Sequence, residues 1–243
     1  MKILITGGSG FIARNLSEQL HSEYDIVSLN SKELDLLDSL KVFDYIKRKE
    51  FDVIIHTAIY DARGHSIKDP SRVLENNLKM FFNLARCKEF FGRMIYFGSG
   101  AEFGRENWIP KMREDYFDQH VPVDQYGFSK YIMAKYAQSN SNIYNLRLFG
   151  VFGKYDDWRI RFIPNACRKA VLGLPIKFKQ NVFFDFIHIN DLSNIVKWFI
   201  DNKPRKNVYN VCSGKVIDFK AIAEKIIKIS GKKLDIREYR GDN

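Results

Sequence analysis

The sequence predicts an α/β protein built on a doubly wound parallel sheet. Short apolar runs alternate along the chain with segments in which apolar residues recur at helical spacing, a pattern typical of a sheet covered by helices on both faces. The first apolar run leads directly into a glycine-rich turn that opens a helix. With 243 residues, of which 45% are hydrophobic and 28% charged, the chain is long enough for one large domain with an appendage.

The first half of the chain contains four predicted strands. The apolar run 2–5 is followed by the turn 6–10 and by apolar residues at helical spacing, namely Phe11, Ile12, Leu16 and Leu20. By the same criteria we predict strands at 25–29, 52–56 and 94–97, and helices at 38–47 and 70–87.

The second half repeats the alternation with longer irregular segments. Asp218 is a suitable N-cap for the last predicted helix. The pattern predicts a helix at 125–139, a strand at 144–149, a helix at 163–172, an extended stretch at 183–189, a helix at 191–200, a strand at 208–211 and a helix at 218–229. No repeat, low-complexity tract or flexible linker divides the chain.

Composition and charge narrow the class of protein. The net charge is +10, but the basic residues are dispersed and are not interleaved with aromatic residues, so the sequence does not predict nucleic-acid binding. No apolar run reaches the roughly 18 residues of a membrane span, and the amino terminus enters a strand pattern instead of a signal peptide. We therefore expect a cytoplasmic protein that binds no membrane.

The three cysteines predict neither a disulfide framework nor a metal site. Cys87, Cys167 and Cys212 lie far apart and lack the paired spacing of metal ligands. We expect each to be a small core residue with a reduced thiol.

The glycine turn predicts a dinucleotide site. Gly7 and Gly10 allow a tight turn, and they let a pyrophosphate approach the amino terminus of the helix that begins at Phe11 and Ile12. Unpaired N–H groups and the helix dipole favour a negative charge there. The last small residue of the motif is Ala13 instead of glycine, which still permits close helix packing.

The end of the second strand bears on the choice of cofactor. NAD-binding folds usually place an acid here that accepts hydrogen bonds from the ribose and repels a 2′-phosphate, whereas this chain has Asn30. Ser31 and Lys32 can bind a phosphate as a donor and a cation. The sequence therefore favours NADP, with NAD left open.

A tyrosine and a lysine stand at helical spacing in a predicted helix. Tyr126 and Lys130 lie on one face, where the lysine can stabilise the phenolate that acid or base chemistry by tyrosine requires. Ser99 follows the fourth strand at its carboxyl end, where ligand crevices of such sheets lie, and its hydroxyl can orient a carbonyl. Together with the glycine turn, these three residues predict a catalytic site.

These motifs resemble the extended short-chain dehydrogenase/reductase family, and within it the nucleotide-sugar epimerases, dehydratases and reductases. The resemblance extends over nearly the whole chain. Besides the glycine turn and residues 126–130, its marks are segments 35–38, 56–58, 146–149, 185–192 and 209–211, Asn77 with Asn83, and Ser99 with Phe103 and Gly104.

The resemblance implies a Rossmann-like fold with a small C-terminal substrate lobe. Residues 1–150 with about 180–203 would form the dinucleotide-binding domain, and 151–179 with 204–243 a lobe that is shortened or truncated relative to the family. It also implies catalytic roles for Ser99, Tyr126 and Lys130, the last of which would also hold the nicotinamide ribose. Further cofactor contacts would come from Asp35 at the adenine, Leu36 beside it, Thr57, Ala58, Phe149 and Val151.

Departures from the family narrow the reaction. The 4,6-dehydratases carry an Asp-Glu pair directly after the catalytic hydroxyl residue, where this chain has Gly100 and Ala101, and Glu102 lies one place too far along. Because water elimination needs an extra acid and base, dehydration is not expected.

The closest resemblance is to GDP-fucose synthase-type 4-keto sugar reductases. Those enzymes epimerise with a cysteine and a histidine, at positions where this chain has Ala101 and Arg161, and neither residue can replace that pair. We therefore expect hydride delivery to carbon 4 of a 4-keto nucleotide-linked deoxy sugar without epimerisation at the neighbouring carbons. Arg161 is either a ligand of the substrate diphosphate or a surface residue.

Two alternatives stay open at this point. A nucleotide-sugar 4-epimerase would use the same serine, tyrosine and lysine, and a non-catalytic dinucleotide sensor would use the same fold. The resemblance further implies a place in cell-surface polysaccharide biosynthesis and a homodimer formed through the helices that carry residues 77–90 and 126–139.

Overall fold

The structure is a computed structural model that describes residues 1–62, 64 and 66–239. Its strands are β1 (Lys2–Thr6), β2 (Asp25–Leu29), β3 (Phe51–His56), β4 (Phe91–Ser99), β5 (Ile143–Leu148), β6 (Gly150–Phe152), β7 (Ile176–Phe178), β8 (Phe183–His188), β9 (Val208–Val211), β10 (Val216–Asp218) and β11 (Ile236–Glu238). Its α-helices are α1 (Phe11–Leu20), α2 (Ser39–Lys49), α3 (Val73–Ala85), α4 (Gln125–Gln138), α5 (Phe162–Val171), α6 (Ile189–Asp201) and α7 (Phe219–Ser230).

A six-stranded parallel sheet forms the centre of the fold. Its strand order is β2-β1-β3-β4-β5-β9, so the order reverses between β1 and β3. In such sheets ligands bind outside the carboxyl ends of the strands at this switch point. The predicted doubly wound parallel sheet is confirmed, and a ligand site is expected among the residues that follow β1, β3 and β4.

The side chains of β1 show how the sheet is covered on both faces. Ile3 and Ile5 point to one face and pack against α1 and α6, whereas Leu4 points to the other and packs with residues of α2, α3 and α4. All three are fully buried. Because both faces of such a strand are buried, its sequence is a continuous apolar run without alternation, as in Ile3, Leu4 and Ile5.

A small lobe follows β5. It contains a three-stranded sheet of order β10-β8-β6 and a two-stranded sheet of β11 and β7. Ala166 of α5, Ala223 of α7 and Ile176 form its buried core. The predicted division assigned 204–243 to this lobe, but β9 within that stretch belongs to the six-stranded sheet because it pairs with β5. The division as a whole stays a prediction.

Aspartate caps set the starts of several helices. Asp38, Asp124 and Asp218 each accept a hydrogen bond from a backbone N–H in the first turn of α2, α4 and α7, which satisfies a donor that the helix itself leaves free. The predicted helix at 70–87 instead begins with a 3-10 turn, Pro70–Arg72, before α3. No helix within the described ranges is long and apolar enough to span a membrane.

The expectation that all three cysteines are core residues is wrong for two of them. Cys87 is buried, but Cys167 and Cys212 are exposed. Cys167 lies on the outer side of the amphipathic helix α5, and Cys212 follows the last residue of β9, beyond the edge of the packed sheet.

Candidate active site

The glycine turn after β1 has the geometry of an anion cradle. Gly7 has φ of 74°, and a Cβ there would lie 2.8 Å from the Cα of Ala58. The N–H of Gly10 donates to the carbonyl oxygen of Gly7 at 2.8 Å, and Gly8 donates to that of Leu29 at 2.8 Å. No side chain among the described residues caps α1 at Gly10. The turn is therefore tight, and the amino terminus of α1 can receive a pyrophosphate.

Residues after β3 line the other side of this turn. The hydroxyl of Thr57 donates to the carbonyl oxygen of Thr6 at 2.7 Å, and the N–H of Ala58 donates to the Thr6 hydroxyl at 3.4 Å. These bonds join the ends of β1 and β3 at the switch point. Thr57 and Ala58 thus lie beside the glycine turn, and the cradle fits a dinucleotide. The cofactor contacts that the resemblance implies for these two residues stay predictions.

The loop after β2 carries the residues expected at the adenosine end. The side-chain oxygen of Asn30 accepts from the N–H of Lys32 at 2.9 Å, which makes a turn that leaves Ser31 and Lys32 exposed. The N–H of Asn30 donates to the carboxylate of Glu33 at 2.9 Å. Sequence reasoning missed this acidic group, which brings a negative charge close to the expected 2′-phosphate position.

Asp35 and Leu36 continue this loop. Asp35 is exposed and accepts from the N–H of Leu37, whereas the side chain of Leu36 is buried in the core. The amide of Asn83 donates to the carbonyl oxygen of Leu36 at 2.8 Å and so fixes the loop on α3. The expected cofactor contacts of Asp35 and Leu36 stay predictions.

The predicted catalytic residues lie near the carboxyl end of β4. Ser99 is the last residue of β4, and Tyr126 and Lys130 lie in the first turns of α4. The Lys130 ammonium donates to the carbonyl oxygen of Phe97 at 2.8 Å and lies 5.9 Å from the ring centroid of Tyr126. The tyrosine is partly exposed while the lysine is buried. A phenol with a buried cation beside it is suited to proton transfer.

A second cation near Tyr126 was not predicted. The guanidinium of Arg105 lies 5.4 Å from the Tyr126 ring centroid and donates to the Asp124 carboxylate at 2.8 Å. Because Asp124 also caps α4, Arg105 is held beside the first turn that carries the tyrosine. Arg105 and Tyr126 are 21 positions apart, too far for a local sequence pattern to pair them.

Burial sets the electrostatics of Lys130. Removal from water lowers the pKa of Lys130 to about 8, and the negative charge of Glu102 opposes that shift. Burial and the neighbouring Lys130 together lower the pKa of His56 to about 3, so this imidazole is neutral at physiological pH. Lys130 is therefore mostly protonated near neutral pH and close to losing its proton.

Replacing Lys130 by methionine is expected to change how stability depends on pH. An unfolded lysine titrates near 10.4, whereas the folded pKa is about 8, so between these values the unfolded chain binds more protons at this residue. Wild-type stability should therefore rise relative to Lys130→Met across this window, by about 3 kcal/mol. Urea unfolding at several pH values measures the difference. Lys135→Met, on an exposed part of the same helix, should show no such rise, and a flat Lys130 difference would contradict the assignment.

A cleft of about 490 Å³ opens beside the start of α1. It is bounded by Phe11, Asp61 and residues 155–161. Arg161, the residue before α5, is exposed and lies on this cleft. Burial raises the pKa of Asp156 in the same wall, and the charge of Arg161 opposes that shift. The predicted substrate residue thus faces an open cleft next to the glycine turn.

Phe149 and Val151 follow β5, and each packs against an element near the predicted site. A Cβ on Gly100 would lie 2.7 Å from the Phe149 ring, so the phenylalanine packs directly against the turn after Ser99. Val151 belongs to β6 and packs on the core that α1 also contacts. Their expected contact with a nicotinamide ring stays a prediction.

A buried polar network beneath Ser99 was also missed. Glu102, Asn145 and Arg147 are fully buried, and the Arg147 guanidinium donates to the Glu102 carboxylate at 2.7 Å. The sequence held one signal for it, because an arginine in the middle of the apolar strand 144–149 is costly unless it is paired.

The doubly wound sheet and the glycine turn define a dinucleotide-binding fold. The model of the NAD dependent epimerase/dehydratase family matches residues 3–212, and the chain belongs to that family. It is an NAD(P)-dependent enzyme of the extended short-chain dehydrogenase/reductase type, as the resemblance implied.

Relatives with assigned activities are similar over most of the chain. The ADP-L-glycero-D-manno-heptose-6-epimerase of Brachyspira hyodysenteriae is 25% identical, with 93% of this chain and 80% of that protein covered. The structure of a GDP-mannoheptose C4 reductase from Campylobacter jejuni with NADP bound matches with a TM-score of 0.86 and 18% identity, covering 98% of this chain and 88% of that one. A GDP-L-fucose synthetase from Naegleria fowleri matches with a TM-score of 0.84 and 16% identity, covering 98% and 80%.

Proposed function

We propose that this protein reduces a 4-keto nucleotide-linked deoxy sugar with NADPH, with hydride added to carbon 4 and Tyr126 as the proton donor. The observation that carries the proposal is the pairing of Tyr126 with the buried Lys130 near the carboxyl end of β4. β4 belongs to the same parallel sheet as β1, which the glycine turn follows. The named activities of the C4 reductase and the fucose synthetase support the same reaction class.

Each catalytic residue has a role that its surroundings support. The reduced nicotinamide, when bound, supplies the hydride. The hydroxyl of Ser99 orients the substrate carbonyl, and Tyr126 gives its proton to the oxygen that gains negative charge. Lys130 holds the nicotinamide ribose, and its charge stabilises the phenolate left behind. With a ribose bound, the Lys130 ammonium would donate to the ribose in place of the Phe97 carbonyl oxygen, or to both.

The residues around Ser99 support reduction without further acid–base steps. Gly100 and Ala101 carry no titratable group, and the Glu102 carboxylate is fully buried in its pair with Arg147. Water elimination needs an additional acid and base at the substrate, and neither follows Ser99 here. This supports a reductase over a dehydratase.

The absorbance of the reduced nicotinamide tests the proposal. Candidate 4-keto nucleotide sugars are added to the enzyme with NADPH, and stoichiometric loss of the absorbance band is expected with the correct sugar. The GDP-linked sugars come first because two of the structural neighbours are named for GDP-linked substrates or products. Cofactor binding without turnover on any keto sugar would favour a dinucleotide sensor.

An epimerase is the second candidate, because the similar curated relative is named as a 6-epimerase. An epimerase oxidises and re-reduces the same carbon, so sugar is converted with no net change in the cofactor. To distinguish an epimerase from a reductase, 4-hydroxy nucleotide sugars are incubated with the enzyme and sub-stoichiometric cofactor, and the sugars are then separated by chromatography. Interconversion without net NADPH oxidation would replace the reductase proposal.

Lys32 is expected to select NADP over NAD. Replacing it by alanine should raise the Kd for NADPH about tenfold and leave the Kd for NADH unchanged, because only NADPH carries the 2′-phosphate. Fluorescence titration measures both constants, with Lys225→Ala on the exposed side of α7 as a matched surface control. The negative charge of Glu33 opposes this preference for NADPH. An equal loss of affinity for both cofactors in Lys32→Ala, or tighter binding of NADH than of NADPH by the wild type, would refute the selection of NADP.

We propose a cytoplasmic homodimer, formed through the side-by-side helices α3 and α4, that acts in cell-surface polysaccharide biosynthesis. Sedimentation tests the oligomeric state, and a monomer at micromolar concentration would refute the dimer.

A further inference from the structure

We propose that Glu102 is a positioning residue for the active site: its buried carboxylate, with Arg147 as counter-ion, fixes the turn that carries Ser99. The inference rests on the proposed function, in which Ser99 orients the substrate carbonyl. It assigns a role to an ion pair that lies outside the cleft and that the reaction itself does not require.

The contacts of the carboxylate connect it directly to Ser99. One oxygen of Glu102 accepts from the N–H of Ser99 at 3.0 Å and the other accepts from the Arg147 guanidinium at 2.7 Å. The amide of Asn145 donates to both oxygens, at 3.2 and 3.1 Å. The Ser99 hydroxyl in turn accepts from the N–H of Ala101 at 3.2 Å. Serine and glutamate thus form a reciprocal capping box around a single turn.

The close fit of the backbone supports this role. A Cβ on Gly98 would lie 2.1 Å from the Asn145 side-chain oxygen and 2.1 Å from the Glu102 carboxylate. Glycine therefore lets the end of β4 rest directly on the network. Any displacement of the carboxylate moves the strand end, and with it the hydroxyl of Ser99.

The network also links Ser99 to the helix that carries Tyr126 and Lys130. The Tyr96 hydroxyl lies 3.5 Å from the Glu102 carboxylate and 3.4 Å from the carbonyl oxygen of Lys130. The Lys130 ammonium binds the carbonyl oxygen of Phe97, two positions before Ser99. The titratable groups near the Lys130 side chain are His56 from β3, Tyr96 from β4, Tyr126 from α4 and Glu102.

Stability alone does not account for the pair. Burying two charges is costly, and apolar side chains of similar volume are often as stabilising or better. Among the described residues, Arg147 and Asn145 each leave one buried polar atom without a hydrogen-bond partner, Nη2 and Oδ1. The bond to the Ser99 N–H gives this incompletely satisfied network a role beyond its contribution to folding.

Two double variants isolate that bond. Both carry Arg147→Met, which removes the arginine that loss of the Glu102 charge would leave unpaired. One variant adds Glu102→Gln, which keeps an oxygen able to accept from the Ser99 N–H, and the other adds Glu102→Leu, which has no such oxygen. Both lose the same charge, so its effect on Lys130 is the same in each. Glu23→Gln, in a surface pair with Lys197, is the control for loss of an exposed carboxylate.

The expected result is a difference between the two double variants. The glutamine form should keep the Ser99 amide protected from hydrogen exchange and stay within about fivefold of the wild-type kcat, whereas the leucine form should lose that protection and about 10²-fold in kcat, with KM little changed. The amide of Ile95, in the middle of β4, should exchange equally in both. Urea unfolding checks that the two forms have similar stability.

Equal kcat or equal Ser99 exchange in the two forms would overturn the proposal and leave Glu102 a structural residue. The exchange measurement needs no substrate. If the wild-type enzyme reduces no keto sugar, the proposed function fails, while a difference in Ser99 protection still supports the positioning role.

Discussion

Replacing Tyr126 by phenylalanine is expected to lower turnover by about 10³-fold while NADPH affinity changes less than twofold. The ring and its packing are retained, and only the hydroxyl that donates the proton is lost, which is the contribution that general acid catalysis makes to the rate. NADPH oxidation with the best keto sugar measures kcat, and fluorescence titration measures the cofactor Kd.

Tyr131→Phe provides the matched control. Tyr131 lies on the same helix, and its hydroxyl donates to the carboxylate of the exposed Asp118. Its turnover is expected to stay within about twofold of the wild type. Comparable turnover of Tyr126→Phe and the wild type would show that Tyr126 is not the proton donor, and would refute the proposed mechanism.

Replacing Gly7 by alanine is expected to destabilise the fold by about 3–4 kcal/mol and to weaken NADPH binding at least about tenfold. Gly7 has φ of 74°, which is unfavourable for any side chain, and the new Cβ would lie 2.8 Å from the Cα of Ala58. Because that neighbour is backbone, the glycine turn itself has to move, and the cradle for the pyrophosphate changes shape.

Gly173→Ala separates the cost of backbone strain from the cost of the contact with Ala58. Gly173 follows α5 with φ of 71°, but a Cβ there meets nothing within 4 Å. Its cost should be about 1–2 kcal/mol of backbone strain, with cofactor affinity unchanged. Urea unfolding and NADPH titration are made on both variants. Equal stability losses, or unchanged NADPH affinity in Gly7→Ala, would show that contact with Ala58 does not shape the site.

Local patterns made much of the site predictable. The glycine turn lies within one strand–helix junction, and Tyr126 and Lys130 are one helical turn apart, so their proximity follows from helix geometry. Ser99 could be added because all parallel strands end at the same edge of the sheet. Each of these inferences uses only the spacing of residues within an element or the order of elements.

The network below Ser99 could not be predicted in the same way. Glu102 meets Arg147 through side chains that are distant in sequence and come together only when β4 and β5 pair. The strands β6, β7, β10 and β11 were missed for a simpler reason: each has three residues, too few to show an alternation. β4 begins at Phe91, earlier than predicted, because Gly92 and Arg93 interrupt the apolar pattern.

The position of β9 has a consequence for synthesis of the chain. β5 pairs with β4 on one side, but its other edge is covered only when Val208–Val211 pairs with it. A chain that is still emerging from the ribosome therefore carries an open strand edge until residues 208–211 have been made, and open edges promote association between chains. Chains cut before Val208 are expected to aggregate even though Ser99, Tyr126 and Lys130 are all present.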